Sequence, residues 1–267
     1  MNASKLLQAH RPKVIALHCS GAGAGEWSCL IETLGGNCEV YAPEQYGCPR
    51  RGHWTGERAF RLADEAEPVI AAIDQSENKI HLVGHSFGGG LALHIALARP
   101  SRILSMALYE PSAFHLLPQM GEAGANAYAE IASIADRIGQ AVIAGDYRGG
   151  VAAFVDYWNP GSWSALRPPV KEALTRWAPK GPLDFRALMT EPTIDKHYCN
   201  LSFPVLLLRG EHAPSPTRII AERLQDLLPK SRMTVVDEAG HMGPLTHAVE
   251  VSRLIAQHII SVAEPEK

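Results

Sequence analysis

The sequence predicts an α/β fold in which a mostly parallel sheet carries helices on both of its faces. Short apolar segments of strand length recur along the chain and alternate with amphipathic helical segments, a pattern typical of strands joined by helical crossovers. One stretch, 79–100, combines a strand, a glycine-rich turn and a helix without interruption. Between 112 and 203 the strand pattern gives way to helical stretches, so we expect a helical insertion in the sheet.

The composition is that of an ordinary globular protein, with 267 residues of which 46% are hydrophobic and 20% charged. This length suits one large domain with an insertion, or two small domains. The net charge of −3 provides no basic surface for nucleic acid, and no stretch resembles a membrane span or a secretory signal. We therefore expect neither a nucleic-acid nor a membrane partner.

Cysteine and glycine spacing bears on location and cofactors. The five cysteines form no C-x-x-C pair, which favours reduced thiols and a cytoplasmic protein. No H-E-x-x-H or related zinc motif occurs, so we expect no metal. The glycines after Ser20 are spaced G-x-G-x-G, and Glu26 stands where a dinucleotide-binding loop needs its last glycine. We therefore expect no nucleotide cofactor.

The first part of the chain contains two strands and two helices. The segment 13–18 (KVIALH) is apolar throughout, as suits a strand covered on both faces. A short helix at 27–34 ends at a pair of glycines, and a second strand follows at 38–42. Apolar residues at helical spacing across 58–73 predict a helix that leads to the next strand.

Ser86 occupies the apex of the strand, turn and helix in 79–100. A nucleophilic serine on a strained strand-to-helix turn needs small residues two positions before and after it, because strand and helix nearly touch there. Gly84 and Gly88 supply that space. The alternative is a tight turn that merely contains a serine, and the flanking strand and helix favour the nucleophile. The backbone N–H of Phe87 is then a candidate oxyanion donor.

The last part of the chain completes the alternation of strands and helices. A strand at 103–109 ends at Glu110, and strands at 205–209 and 233–236 are separated by a helical stripe. His241 follows the last strand within the sequence GHMG, a loop that lets an imidazole turn over the end of the sheet toward the serine. We therefore expect His241 to be a general base.

Three motifs make the chain resemble the α/β-hydrolase fold superfamily, in its serine-nucleophile branch with a helical lid. They are LHCSG at 17–21, GHSFGG at 84–89 and AGHMGP at 239–244. They occur in the order that the superfamily has and spread over most of the chain.

The resemblance implies an architecture as well as a site. It places an α/β-hydrolase core at 1–111 and 204–267, with a helical lid inserted at 112–203. It also implies an antiparallel hairpin before the first strand. The stretch ahead of Lys13 is short, so we expect that hairpin to be truncated or missing.

The resemblance implies a nucleophile, base and acid made of Ser86, His241 and Glu110. In most of the superfamily the acid follows the next-to-last strand, three residues beyond a glycine, and Ala213 fills that place here. Some members carry the acid at the end of the preceding strand, where this chain has Glu110. Glu211 and Asp237 are alternatives, and Glu110 could also be a solvated carboxylate or a helix cap.

The second oxyanion donor is also implied by the resemblance. His18 and Cys19 occupy the places of a His-Gly pair, and the N–H of Ser20 becomes the donor beside that of Phe87. Cys19 is a departure, because the superfamily prefers glycine there. We interpret His18 as a core histidine that is hydrogen-bonded to backbone.

The implied activity is a two-step acyl transfer on a small-molecule substrate, a small or medium carboxylic ester or lactone. Thioester and carbon–carbon bond hydrolases share the same strand–turn–helix arrangement around the serine, called the nucleophile elbow. A small-molecule receptor on this fold is an alternative of another class. The candidate pocket residues are Trp158, Phe114 and Met242, with Tyr157 and Trp163 as further aromatics of the lid. For each of these four aromatics, packing inside the lid is the favoured alternative. The oligomeric state stays open, a homodimer included.

Overall fold

The structure, a computed structural model, describes residues 11–262. Its strands are β1 Lys13–Leu17, β2 Glu39–Tyr41, β3 Ile80–His85, β4 Ile103–Tyr109, β5 Val205–Gly210 and β6 Ser231–Val236. They form one six-stranded sheet in the order β2-β1-β3-β4-β5-β6, and every neighbouring pair is parallel. The predicted α/β fold with a mostly parallel sheet is confirmed. The predicted truncation of an N-terminal hairpin concerns residues 1–10, which lie outside the described part of the chain.

Twelve α-helices accompany these strands within residues 11–262. They are α1 Ser28–Leu34, α2 Leu62–Asp74, α3 Phe87–Ala98, α4 Gly121–Ile143, α5 Tyr147–Trp158, α6 Ser162–Ala165, α7 Pro168–Trp177, α8 Gly181–Met189, α9 Asp195–Tyr198, α10 Ser215–Leu227, α11 Gly243–Thr246 and α12 Ala248–Ser261. None of the helices in this part of the chain combines the length and the apolarity that a membrane crossing requires.

Helices cover both faces of the sheet and pack against the side chains that alternate along each strand. Successive side chains of a strand point to opposite faces, and in β1 the residues Val14 and Ala16 belong to one apolar cluster whereas Ile15 and Leu17 belong to the other. The first cluster includes residues of α1 and α12, and the second includes residues of α2, α3 and α10. Both faces are therefore covered, which explains why the inner strands β1, β3, β4 and β5 are mostly apolar.

Helices α4 to α9 fill the stretch between β4 and β5. The buried residues Ile131, Ile134 and Ile138 of α4 recur at helical spacing and join the same apolar cluster as α3 and α10. Asp146 caps α5 by accepting a hydrogen bond of 2.9 Å from the N–H of Gly149. The division into a core and a lid at residues 112 and 203 stays a prediction.

The parallel sheet brings the carboxyl ends of its strands to one edge. Ser86 follows β3 and Glu110 follows β4, while His241 lies in the loop after β6. Side chains that are far apart in sequence thus meet at that edge, which is where open α/β sheets bind their ligands.

Candidate active site

The turn at Ser86 is sharp and strained. Its backbone has φ 53° and ψ −117°, a conformation that side chains other than glycine rarely adopt. A Cβ added to Gly84 would lie 2.4 Å from the carbonyl oxygen of Gly88, and one added to Gly88 would lie 2.2 Å from that of Leu17. Both glycines are therefore required by the close approach of β3, α3 and β1 around the serine.

His241 bridges Ser86 and Glu110. Its Nε2 lies 2.9 Å from Oγ of Ser86, and its Nδ1 lies 2.7 Å from Oε2 of Glu110. The loop that carries the imidazole is held by the hydroxyl of Tyr109, which donates a 2.7 Å hydrogen bond to the carbonyl of Gly240. The three side chains thus form one line of hydrogen bonds, the arrangement of a serine, its general base and an orienting acid.

Glu110 is fully buried, and donors from β5 and α10 hold its carboxylate. The N–H of Gly210 donates to Oε1 over 2.9 Å, and the hydroxyl of Thr217 donates to Oε2 over 2.7 Å. The backbone of Glu110 has a positive φ of 41°, which marks a second strained position at this edge. Gly210 is the last residue of β5. The end of β5 therefore carries no triad acid itself but stabilises Glu110, the acid at the end of the neighbouring strand β4.

The environment sets the charges of this pair. Burial alone would raise the pKa of Glu110, but His241 and the donors at Gly210 and Thr217 hold it below its ordinary value. Burial also lowers the pKa of His241, and the opposing effect of Glu110 does not reverse this. An ionised carboxylate therefore faces a neutral imidazole at neutral pH, as a base ready to accept a proton requires.

The two alternative acids lie elsewhere. Glu211 is exposed and accepts a 3.0 Å hydrogen bond from the N–H of Glu238. Asp237 is exposed as well. In the described chain neither carboxylate makes a hydrogen bond to His241, whereas Glu110 does.

The residues that carry both proposed oxyanion amides, Ser20 and Phe87, line the same recess as Ser86. Within residues 11–262 neither the N–H of Phe87, at the start of α3, nor that of Ser20 donates to another protein group. The carbonyl of Cys19 accepts from Nδ1 of His18 over 2.8 Å and from the N–H of Ala22 over 3.2 Å. Because C=O and N–H point in opposite directions across a trans peptide, these contacts direct the Ser20 N–H away from the Cys19 oxygen. His18 is thus a buried histidine bonded to backbone.

A buried charge cluster, formed by Lys180, Asp184 and Glu65, anchors the same loop. The hydroxyl of Ser20 donates to Asp184 over 2.7 Å, and Lys180 donates to both Asp184 and Glu65. Burial raises the pKa of Asp184 even though Lys180 opposes the effect. The sequence carries no signal for this cluster, because its members come from α2, α8 and the turn before α8.

An apolar cavity of about 280 Å³ opens over Ser86 and His241. Trp158 and Met242 line it, and the Trp158 ring stacks on the His241 ring with centroids 4.0 Å apart. The other lining residues are Cys19, Ser20, Gly21, Ala22, Phe154, Val155, Asn159, Ser162, Leu166, Val170, Leu174, Leu245 and Thr246. The volume lies near the lower end of the range for small-molecule pockets.

The remaining predicted pocket residues lie outside this cavity. Phe114 lines a smaller recess that also borders Ser86 and Trp158, together with Ser112 and Leu188. Tyr157 donates a 2.7 Å hydrogen bond to Glu130, and the ring of Trp163 packs under a lysine and an arginine. Neither ring lines the cavity, and both belong to packing among the inserted helices, which is the alternative that the sequence favoured for them.

Three groups of side chains within residues 11–262 bring metal-ligating atoms to within 4.8 Å of one another: His18, Glu44 and Cys48; Cys19, Glu26 and His85; and Glu211, His212 and Glu238. Burial and a hydrogen bond to Glu44 raise the pKa of Cys48 to about 12, so without a metal ion its thiol is protonated at neutral pH. Burial also raises the pKa of Cys19 well above its ordinary value. The third group is exposed, and exposed acidic groups are common without a metal.

Comparison with known proteins gives a consistent result. A family model described as the alpha/beta hydrolase family matches residues 14–254. A pimeloyl-acyl-carrier-protein methyl ester esterase from Aeromonas hydrophila is 24% identical over 259 residues, which cover 93% of this chain and 95% of that protein.

Solved structures share the fold at low identity. An alpha/beta hydrolase from a Medee basin deep-sea metagenome library superposes with a TM-score of 0.79 at 14% identity, covering 98% of this chain and 93% of the other. An enol-lactonase from Burkholderia xenovorans superposes with a TM-score of 0.72 at 14% identity, covering 95% and 93%.

Proposed function

Because the chain belongs to the alpha/beta hydrolase family, we propose that it is a serine hydrolase that cleaves small or medium carboxylic esters or lactones through an acyl-enzyme. The observation that carries the proposal is the line of hydrogen bonds from Ser86 through His241 to Glu110, with distances of 2.9 and 2.7 Å. The similarity to a methyl ester esterase and to an enol-lactonase supports the same substrate class.

The proposed reaction has two steps. His241 Nε2 takes the hydroxyl proton of Ser86 as Oγ attacks the substrate carbonyl carbon, and the amides of Ser20 and Phe87 stabilise the oxyanion. The imidazolium then gives that proton to the alcohol oxygen, the carbon–oxygen bond breaks and the alcohol leaves. In the second step His241 takes a proton from water, whose oxygen attacks the acyl carbon. The bond between that carbon and Oγ of Ser86 then breaks, the imidazolium returns its proton to Oγ, and the acid leaves.

The apolar cavity supports a neutral substrate of modest size. Its walls carry apolar side chains from α5, α7 and the loop after His241, and among residues 11–262 no Lys or Arg side chain lines it. The predicted receptor alternative depended on a missing acid, and the 2.7 Å contact between Glu110 and His241 favours an enzyme over a receptor.

The direct test is the time course of p-nitrophenolate release from p-nitrophenyl acetate. We expect turnover, and an initial burst that approaches one product per protein where hydrolysis of the acyl-enzyme is the slower step. A folded protein that binds but does not turn over esters, lactones or thioesters would contradict the proposal and favour the receptor. Turnover confined to diketones would favour the carbon–carbon bond hydrolase.

The loss of activity at acid pH should have its midpoint at a low pH. Only the neutral imidazole can accept a proton, and burial lowers the pKa of His241, so we expect kcat/KM to fall with a midpoint below about 6.5, the ordinary histidine value. Glu110 stabilises the imidazolium, so Glu110→Gln should move the midpoint of the residual activity further down. A midpoint above the ordinary histidine value would contradict this assignment of charges.

The cavity predicts a size limit that a single substitution should tighten. Val170 of α7 lines the cavity, and Val170→Trp places a larger side chain in it. We expect the ratio of kcat/KM for p-nitrophenyl hexanoate to that for the acetate to fall by about tenfold. Ile143→Trp, at a position that is 88% exposed, is the matched control and should leave the ratio unchanged. An equal ratio in the two variants would place the longer substrates elsewhere.

A further inference from the structure

Glu26 and His85 form a second set of buried, hydrogen-bonded side chains next to the His241 loop. This Glu26–His85 pair takes no part in the proposed reaction. Both side chains are fully buried. Nδ1 of His85 lies 2.7 Å from Oε1 of Glu26, and the N–H of Cys19 donates to Oε2 of Glu26 over 2.9 Å. Nε2 of His85 lies 2.9 Å from the backbone carbonyl of His241. The Glu26–His85 pair therefore connects the loop before Ser20 to the loop that carries His241.

The hydrogen-bond partners define which groups donate. Both nitrogens of His85 face acceptors, so Nε2 is placed to donate to the carbonyl of His241 and Nδ1 is placed to donate to the carboxylate of Glu26. Burial alone would raise the pKa of Glu26, but His85 and the Cys19 amide hold it below its ordinary value. Glu26 is therefore a carboxylate that accepts one hydrogen bond at each oxygen.

Each member of the Glu26–His85 pair holds a backbone peptide group that lies next to a residue of the proposed reaction. Glu26 fixes the N–H of Cys19, and His18 fixes its carbonyl. Cys19 is thus held on both sides, and the following N–H, that of Ser20, has one direction left to it. At the other end the carbonyl that His85 contacts belongs to His241 itself.

We propose that Glu26 and His85 are positioning residues that hold the Ser20 oxyanion amide and the His241 base in register with each other. The inference rests on the proposed function, because it assumes that the Ser20 N–H donates to the oxyanion. Oxyanion donors and bases act only within a narrow geometry, so a loosened loop lowers the rate of the chemical step more than it weakens substrate binding.

The test compares His85→Gln with His81→Gln. His81 lies on the same strand, is equally buried, and has Nδ1 2.7 Å from the hydroxyl of Ser105, so it controls for loss of a buried histidine. Active sites are counted by labelling to completion with a fluorophosphonate, and kcat and KM for p-nitrophenyl acetate are expressed per labelled site. We expect His85→Gln to lower kcat by about 50-fold with KM changed less than about threefold. His81→Gln should keep kcat per site within about twofold even if its melting temperature falls.

A conservative pair at Glu26 provides the second measurement. In Glu26→Gln the amide oxygen can accept from Cys19, and the amide NH₂ can donate to His85, whose Nε2–H still reaches the His241 carbonyl. We expect this variant to lose about fivefold in kcat and Glu26→Leu about 50-fold. A protein that merely needs this site for folding would show the difference in melting temperature, not in kcat per labelled site.

The outcomes separate this inference from the proposed function. If wild type turns over the ester but His85→Gln matches His81→Gln per labelled site, the positioning role is wrong and the proposed function stands. If His85→Gln does not fold, equal kcat per site in Glu26→Gln and Glu26→Leu would equally overturn it. If wild type shows neither turnover nor labelling, the proposed function fails and the positioning role fails with it.

Discussion

Ser86→Ala is expected to lower kcat/KM for p-nitrophenyl acetate by about 10⁴-fold or more and to abolish labelling by a fluorophosphonate. The hydroxyl of Ser86 lies 2.9 Å from Nε2 of a neutral, buried imidazole, which is the contact that turns a weak nucleophile into a reactive one. Intact-mass and peptide mass spectrometry should show one adduct on the wild-type protein, on the peptide that contains Ser86.

Ser112 is the matched control for this prediction. Its hydroxyl lies 3.2 Å from that of Ser86, so it is a neighbouring serine hydroxyl within hydrogen-bonding distance, but it makes no hydrogen bond to His241. We expect Ser112→Ala to be labelled to one adduct per protein. Labelling of Ser86→Ala, or its loss in Ser112→Ala with Ser86 unlabelled, would assign the nucleophile to Ser112 instead.

Glu110→Gln should produce the second largest loss, about 10³- to 10⁴-fold in kcat. The amide oxygen of the new side chain can accept from the N–H of Gly210, as Oε1 does now. Its NH₂ group then faces Nδ1 of His241, which has to become an acceptor. The proton of the neutral ring moves to Nε2, the nitrogen that must accept the proton of Ser86, so the ring is in the wrong tautomer.

Glu211→Gln controls for the loss of a nearby carboxylate. Glu211 is exposed and accepts a single backbone hydrogen bond, which a glutamine can also accept. We expect kcat within about twofold of wild type, because the substitution touches neither His241 nor its partners. A large loss in Glu211→Gln with normal activity in Glu110→Gln would move the acid to the place after β5.

Much of the site was accessible from the sequence because its residues end predictable elements. Ser86 is marked by two glycines between a strand and a helix, Glu110 directly follows the apolar strand β4, and His241 lies between glycines in the loop after β6. Parallel strands bring their carboxyl ends to one edge, so such residues must lie near one another. The structure joins these three side chains in one line of hydrogen bonds, and their chemical roles stay a prediction.

The pocket was less accessible. Trp158 and Met242 line the cavity, but Tyr157 and Trp163 pack among the inserted helices and Phe114 lines a different recess. An aromatic residue on an amphipathic helix has the same sequence pattern whether it faces a cavity or a neighbouring helix. Only the packing of one helix against another decides between the two.

By itself the sequence determined the parallel α/β fold, the strand order along the chain and the elbow at Ser86, because apolar periodicity and glycine spacing are local and reflect burial directly. The tertiary structure alone decided the partners of buried polar groups. Glu26 meets His85 across 59 residues, Thr217 meets Glu110 across 107, and Asp184 meets Ser20 across 164. A buried polar group must find a partner, but neither periodicity nor spacing identifies which one, since that depends on how distant segments pack.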